Sequence, residues 1–171
     1  MQTFVFIALG SNLHQPIQQV LSAIKRLKAE KDLSVTAISS LYETPPMGPQ
    51  DQPNYINAVV KVSTSLQPLA LLTLLQSIEN HQGRNRDTGR WGARTLDLDI
   101  LLYGQHCSTD PVLTLPHPGI AFRTFVLYPL VEIEPLLVIP SLGPVKQLLV
   151  TLNEPCPAIV EPESLENFRL V

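Results

Sequence analysis

The chain has 171 residues, of which 44% are hydrophobic and 16% charged, and this composition predicts one globular domain with a substantial core rather than a disordered segment. A formal net charge of −3 argues against a broad nucleic-acid-binding surface, and no apolar run approaches the roughly 20 residues of a membrane-spanning helix. Cys107 and Cys156 lie far apart without metal-ligand spacing, so we expect two reduced thiols in a cytoplasmic protein.

The elements predicted along the chain follow the order β-α-β-β-α-β. They are a strand over 3–9, a helix over 16–30, strands over 33–42 and 55–63, a helix from Pro68 that Gly83 terminates, and a strand over 95–103. The first of them has no preceding basic residues, so a buried strand is favoured over a signal peptide. The order predicts an α+β fold, a ferredoxin-like βαββαβ sandwich with a four-stranded antiparallel sheet, its first and last strands central, and two helices on one face.

The C-terminal part of the chain is predicted to be less regular. A further helix is expected over 120–132, with Pro129 kinking or ending it. We therefore divide the chain into a single domain over 1–150 and an acidic, proline-containing tail over 151–171, which we expect to be irregular.

The segment 83–104 carries two adjacent sets of charged residues. They are Arg84, Arg86, Arg90 and Arg94, and then Asp97 and Asp99. Arginine offers planar, bidentate contacts to phosphate oxygens and keeps its charge. A basic loop beside paired carboxylates therefore favours binding of a polyphosphate together with a metal ion.

The two aspartates interrupt an otherwise apolar strand. Because side chains alternate along a strand, Asp97 and Asp99 are predicted to share one face and Leu98 to point to the other. Two negative charges at such a place need a cation beside them. Two interpretations stay open at this point: a divalent cation held by the carboxylates together with substrate phosphates, or a structural ion-pair cluster with the arginines.

The proline-rich segment 43–55 predicts a long loop, since neither a helix nor an interior strand tolerates this proline density. Such loops are often functional, although an ordinary connection is the alternative. Tyr55 and Asn57 alternate onto one face of the next strand, where a ring and an amide suit a flat heterocycle. Further candidates for this pocket are Thr44, Pro45, Met47 and Phe125. Each of these residue types is also common in cores and turns.

Several familiar motifs are absent from the sequence. There is no P-loop, no protein-kinase signature set and no dinucleotide-binding fingerprint. His117, held between Pro116 and Pro118, is the one histidine that we nominate, with a structural role as the alternative. Trp91 lies among the arginines, where it could stack on a base or simply anchor the loop.

The chain resembles the 6-hydroxymethyl-7,8-dihydropterin pyrophosphokinase family of the folate pathway from about residue 7 to 135. The matching stretches are IALGSNL, YETPPMGPQDQPNYINAVV, GRNRDTGRWGARTLDLDILLYG and LPHPGIAFRTFVLYPLVEIEP. The resemblance implies transfer of pyrophosphate from ATP to the pterin hydroxymethyl group with release of AMP. We expect a monomer that binds neither nucleic acid nor membrane.

The resemblance also implies roles for individual residues. Two Mg²⁺ ions would be bound by Asp97 and Asp99, with Arg84 and Arg94 assisting the transfer. The residues that it assigns to the pterin are Thr44, Pro45, Met47, Tyr55, Asn57 and Phe125. The residues that it assigns to ATP are Gln76, Glu79, Arg86, Trp91, Ile100, Thr114, His117 and Arg123.

Four positions depart from the family pattern. Gly119 and Phe122 stand where the family often has polar or charged residues, and Val112 stands where some members carry an arginine, which leaves the ATP contacts there open. Ala93 replaces a common proline.

Two other classes of function are considered. A regulatory ligand-binding domain without catalysis would leave the acidity of the strand unexplained, and an RNA-binding domain needs exposed aromatic residues where this strand has carboxylates.

Overall fold

The computed structural model describes residues 1–84, 92–162 and 164–169, and within them it shows a mixed α and β architecture. The strands are β1 (Thr3–Ser11), β2 (Leu33–Ile38), β3 (Leu41–Thr44), β4 (Tyr55–Thr64), β5 (Asp97–Tyr103), β6 (Val138–Ile139), β7 (Gly143–Pro144) and β8 (Ala158–Val160). The helices are α1 (Pro16–Ala29), α2 (Pro68–His81), α3 (Thr124–Ile133), α4 (Val145–Leu152) and α5 (Ser164–Arg169), and a 3₁₀ turn covers Ile120–Phe122.

The main sheet has six strands in the described part of the chain, paired antiparallel in the order β5-β1-β4-β3-β8, with β2 also paired to β4. The prediction of four strands is therefore wrong, because the second predicted strand is divided and β8 extends the sheet. β1 is central as predicted. β5 is not, since among the described strands it pairs only with β1 and so lies at the edge of the sheet.

The second predicted strand, 33–42, is broken between β2 and β3 at Ser39 and Ser40. The hydroxyl of Ser39 accepts a hydrogen bond from the N–H of Val59 at 2.9 Å. The N–H and the hydroxyl of Ser40 both donate to a carboxylate oxygen of Glu132, each at 2.9 Å. The backbone N–H of Ser39 still donates to the carbonyl of Val59 at 3.0 Å, but the other bonds at this break involve side chains, which a pattern of β-branched residues does not reveal.

Hydrophobic cores cover both faces of the sheet. One core lies beneath α1 and α2, and it contains the predicted apolar stripe of α1, including Val20, Ile24 and Leu27. The second core lies beneath α3 and α4, where Leu127 and Leu130 are fully buried. The prediction of helices on one face holds for α1 and α2 and misses the second layer.

The helices end largely where the sequence predicts. α2 stops at His81, and Gly83 follows with φ of 79°, a left-handed conformation that glycine adopts without steric cost. Pro129 lies inside α3, which continues to Ile133, so Pro129 does not end this helix. None of the helices in the described ranges combines the length and apolar character needed to cross a bilayer.

The tail contains regular structure, contrary to expectation. β8 pairs with β3, and Leu165 of α5 is buried in the core beneath α1. α4 runs to Leu152, across the proposed boundary at 150, and the division of the chain at that residue stays a prediction.

Candidate active site

A cavity of about 560 Å³ lies between the sheet and the beginning of α3. Its walls are contributed by β1, β4, β5, the proline-rich segment 43–55 and the turn 117–119. The predicted site residues that line it are Thr44, Pro45, Met47, Tyr55, Asn57, Arg94, Asp97, Asp99, His117, Arg123 and Phe125. One cavity therefore contains every residue predicted for the heterocycle and both aspartates.

The heterocycle end of the cavity is built on the pairing of β3 with β4. This pairing sets Thr44 opposite Tyr55. Asn57 is 6% exposed, and its Nδ2 donates to Thr44 Oγ1 at 2.8 Å, which fixes the orientation of the amide. Phe125 of α3 also lines the cavity, and Met47 is 54% exposed. An oriented amide among apolar walls suits a flat polar ring.

The hydroxyl of Tyr55 connects this end to the arginine-bearing segment. It donates to the backbone carbonyl of Gly92 at 2.8 Å. Burial raises the pKa of Tyr55, and Arg94 opposes that shift without reversing it. The hydroxyl is therefore protonated over the neutral pH range and can serve as this donor.

The carboxylate of Asp97 is held by two arginines, one on each oxygen. Arg94 Nη1 lies 2.7 Å from Oδ2, and Arg84 Nη1 lies 2.9 Å from Oδ1. Burial lowers the pKa of Arg94, but Asp97 more than offsets this effect, so the net shift is upward. Asp97 thus forms the ion pairs of the structural interpretation, and these do not decide between that interpretation and a cation site.

Glu79 supports this arrangement from α2. It is 2% exposed, it forms an ion pair with Arg84, and its Oε1 accepts a hydrogen bond from the N–H of Leu98 at 2.8 Å. Glu79 therefore fastens Arg84 and the start of β5 to one another. It does not line the cavity.

Asp99 faces the cavity with 39% of its side chain exposed. Burial in the cavity floor and, next, the charge of Asp97 raise the pKa of Asp99 to about 7. A divalent cation beside Asp99 would favour the ionised carboxylate and so offset these two effects. Among the described residues no group of three or more His, Cys, Asp or Glu side chains could enclose a metal. Asp97 and Asp99 therefore fit Mg²⁺ bound jointly with waters and substrate phosphates, not a site closed by protein ligands.

His117 is fixed in the turn that follows Leu115. Its backbone N–H donates to the carbonyl of Leu101 in β5 at 2.9 Å, and its Nδ1 accepts from the N–H of Gly119 at 3.0 Å. Burial and then the nearby Arg123 lower the pKa of His117 to about 4. The ring is accordingly neutral, and the accepted hydrogen bond assigns its proton to Nε2, which lies 3.9 Å from Asp99 Oδ2.

Other predicted residues lie away from the cavity walls. Gln76 is exposed on α2, and Ile100 is buried in the core on the opposite face of the sheet. Thr114 donates from its hydroxyl to the carbonyl of Asp110 at 3.0 Å. The predictions for Arg86 and Trp91 fall outside the described residues.

Asn12 is a site residue that sequence reasoning missed. It is 1% exposed and joins two segments that flank the cavity. Its Nδ2 donates to Gln52 Oε1 and to the carbonyl of Pro53, both at 3.0 Å. Its Oδ1 accepts from the N–H of Arg94 at 2.8 Å, and its own N–H donates to the carbonyl of Arg94 at 3.0 Å. The tripeptide Gly-Ser-Asn after a strand indicates only a turn.

The fold and the cavity define an α+β protein with a cleft that has an oriented amide and apolar walls at one end and carboxylates and arginines at the other. Comparison with known proteins identifies the family. The family model of 7,8-dihydro-6-hydroxymethylpterin-pyrophosphokinase (HPPK) matches residues 6–135. The chain belongs to this family.

Two relatives carry the name 2-amino-4-hydroxy-6-hydroxymethyldihydropteridine pyrophosphokinase. The Haemophilus influenzae protein is 51% identical over 136 residues, and the Pseudomonas aeruginosa protein is 47% identical over 137 residues. Each match covers 80% of this chain and 84% of the relative. A solved structure, Plasmodium falciparum HPPK-DHPS wild type with pteroate, has a TM-score of 0.71 at 15% identity. The match covers 88% of this chain and 42% of the solved chain. Because the identity is only 15%, this similarity supports the fold alone.

Proposed function

We propose that the protein transfers the pyrophosphoryl group of ATP to the hydroxymethyl group of 6-hydroxymethyl-7,8-dihydropterin in folate biosynthesis. Membership of the family and the names of the bacterial relatives support this reaction. The observation that carries it is the single cavity with an oriented amide and aromatic walls at one end and Asp97 and Asp99 at the other. A pterin and a triphosphate would meet between these ends.

The pterin occupies the heterocycle end in this proposal. Its ring lies between Tyr55 and Phe125, and Asn57 forms hydrogen bonds with the ring edge because Thr44 holds its amide in place. The segment containing Pro45 and Met47 closes the pocket. Aromatic faces and a fixed amide recognise the shape and the hydrogen-bonding edge of the pterin, and they leave its hydroxymethyl group directed at the carboxylate end.

The reaction balances without a covalent enzyme intermediate. The hydroxymethyl oxygen forms a bond to the β-phosphorus of ATP. The bond between that phosphorus and the oxygen bridging it to the α-phosphorus breaks, and AMP leaves with the bonding electron pair. The hydroxyl proton passes to solvent. Such transfers depend on positioning and charge stabilisation more than on covalent help from the protein.

In this proposal the carboxylate end of the cavity stabilises the charge of the triphosphate during transfer. Asp97 and Asp99 would hold Mg²⁺, for which we propose two ions, and bound Mg²⁺ supplies positive charge to the triphosphate oxygens. Arg84 and Arg94, which form ion pairs with Asp97, are proposed to contact the transferred group. In the same proposal Glu79 positions Arg84, with which it forms an ion pair.

His117 does not serve as a general base in this scheme. Its Nδ1 is occupied by the N–H of Gly119, and Nε2 carries the proton. The neutral ring can donate a hydrogen bond to the nucleotide. The further ATP contacts that we propose are Gln76, Arg86, Trp91, Ile100, Thr114 and Arg123.

The experiment that tests the function mixes the protein with Mg-ATP and 6-hydroxymethyl-7,8-dihydropterin and identifies the nucleotide product. We expect AMP and the pterin diphosphate in equal amounts, and neither when the pterin is omitted. Formation of ADP, or the absence of pterin-dependent turnover, would overturn the proposal. The Asp99→Asn variant provides the matched negative control.

The assembly and location of the enzyme belong to the same proposal. We propose a monomer in the cytoplasm, where the exposed Cys107 and Cys156 would remain reduced. Light scattering at the concentration of the assay checks the first part: a dimer mass would contradict it.

A further inference from the structure

The turn after His117 contains a glycine with a specific neighbour. A Cβ atom built at Gly119 would lie 2.6 Å from Nε of Arg123, 2.7 Å from its Cζ and 3.0 Å from its Nη2. These separations are shorter than van der Waals contact. The Arg123 guanidinium therefore occupies the space that any side chain at position 119 would fill.

Arg123 lines the cavity and lies close to an aromatic ring in its wall. Its Cζ is 5.9 Å from the centroid of the Phe125 ring, on the heterocycle side. Arg123 lines the cavity together with Asp99 and His117, and its charge opposes the rise in the pKa of Asp99 and adds to the fall in the pKa of His117. A cation at this position faces the path of a triphosphate that extends from the pterin pocket to the carboxylates.

We propose that Gly119 is a positioning residue, whose missing side chain seats the Arg123 guanidinium between Phe125 and Asp99 to contact the phosphates of the nucleotide. The inference rests on the proposed function for the identity of the ligand. It assigns a role to a position at which this chain departs from the polar residue that its family often has. Arg123 is the group that touches the ligand, and Gly119 acts through it.

The backbone makes alanine an informative substitution. Gly119 has φ of −86° and ψ of −1°, a conformation that alanine adopts readily. The added methyl group therefore conflicts with the Arg123 side chain and not with the turn, and a flexible side chain yields more easily than backbone. Gly119→Ala should displace the guanidinium and leave the fold intact.

The test is a double-mutant cycle on nucleotide binding. Calorimetry would measure the Kd of the Mg complex of α,β-methylene ATP, whose scissile position cannot react, for wild type, Gly119→Ala, Arg123→Ala and the double variant. We expect each single variant to raise the Kd about tenfold, the scale of one charge-assisted hydrogen bond. The double variant should match Arg123→Ala, because Gly119→Ala has no further effect once Arg123 is absent.

Two results would overturn the inference. One is a Kd of wild-type size in Gly119→Ala. The other is a Gly119→Ala substitution that raises the Kd by the same factor in the Arg123→Ala background as in wild type. The placement is also measured without ligand, from the NMR cross-peak of Arg123 Nε–H, which its loss in Arg123→Ala identifies. This signal should shift in Gly119→Ala, and an unmoved signal would overturn the seating. Failure of wild type to form AMP would reject the proposed function but leave the NMR comparison to decide the seating.

Discussion

Asp97 and Asp99 are two residues apart on one strand, yet their surroundings differ. Asp97 has an arginine on each oxygen, whereas burial and the charge of Asp97 raise the pKa of Asp99 to about 7. Asp97 is therefore already paired with positive charge. Asp99 is the carboxyl group that gains most from an incoming cation.

Asp99 makes stability depend on pH in the metal-free protein. Its pKa is about 7 in the native state against 3.8 as the ordinary value, so between these values the native state binds more protons than the unfolded state. The stability that Asp99 contributes is therefore fully present below pH 3.8 and is lost as the pH rises through about 7.

We expect Asp99→Asn to remove this loss. Urea denaturation midpoints in EDTA should fall from pH 4.5 to pH 8 more steeply for wild type than for the variant. Parallel declines in the two proteins would show that Asp99 ionises normally.

The Tyr55 hydroxyl offers a narrower test. Tyr55→Phe keeps the ring but removes the hydrogen bond to Gly92, which lies two residues before Arg94. We expect kcat to fall about two- to tenfold, the scale of one neutral hydrogen bond, with little change in the KM of the pterin.

Tyr128→Phe is the matched control, because the Tyr128 hydroxyl donates to the carbonyl of Glu154, away from the cavity. An equal effect in both variants, or a change in the pterin KM alone, would reject the role of Tyr55 in placing the arginine segment.

At the scale of elements, the end of β1 connects the two segments that flank the cavity. Asn12 binds Gln52 and Pro53 on one side and Arg94 on the other. Its side chain uses both amide hydrogens and the amide oxygen in these bonds. Displacement of one segment is therefore transmitted to the other through a buried side chain.

Asn12→Ala should weaken both attachments at once. We expect unfolding free energy to fall by about 1–3 kcal/mol, since buried donors and acceptors lose their partners. Hydrogen exchange at the Arg94 amide should also become faster than in wild type. Asn54→Ala, which removes a surface contact to Glu43, is the control and should leave both quantities near wild type. Unchanged exchange at Arg94 in Asn12→Ala would contradict the connection.

The elements also show what local pattern can and cannot predict. The buried stripe of α1 and the end of α2 at Gly83 follow from spacing and glycine chemistry, which are properties of neighbouring residues. The break at Ser39 depends on Val59, and the place of Asn12 depends on residues at least 40 positions away. Such partners are known only once the sheet has formed.

The candidate site shows the same division. Strand alternation predicts a pocket at Tyr55 and Asn57, the resemblance to a family assigns its residues to the pterin, and the cavity contains all of them. Glu79 was assigned to ATP, but its carboxylate holds Arg84 and the Leu98 amide. A family motif identifies which residues matter, while the contacts of the folded chain decide whether each one touches the ligand or positions another residue.

At the scale of the whole molecule, the C-terminal residues complete the sheet and one of its cores. β8 continues the sheet beyond β3, and Leu165 enters the core beneath α1 at 2% exposure. The short strand between prolines gives no periodic signal, which explains why the tail was expected to be irregular. The last elements are thus part of the structure that supports the cavity.

Leu165→Ala tests this contribution. Truncation of a buried leucine should lower the free energy of unfolding by about 2–5 kcal/mol because it leaves a cavity in the core. Val150→Ala is the control, since Val150 is 69% exposed and should change stability by less than about 0.5 kcal/mol. Thermal or urea unfolding measures both. Equal, small effects would mean that the tail contributes little to the fold.

The pairing of β5 with β1 is interrupted by one extra residue on β5. Ile7 pairs with Ile100 and Phe6 with Leu102, so Leu101 is an extra residue on β5. It allows Asp99 to face the cavity while Tyr103 still packs on the opposite core, and its carbonyl receives the N–H of His117. Deleting Leu101 would leave a regular ladder in which Asp99 and Tyr103 still face opposite sides of the sheet, but it would remove the carbonyl that accepts the N–H of His117. A chain that keeps the turn at His117 attached to β5 should therefore keep this extra residue.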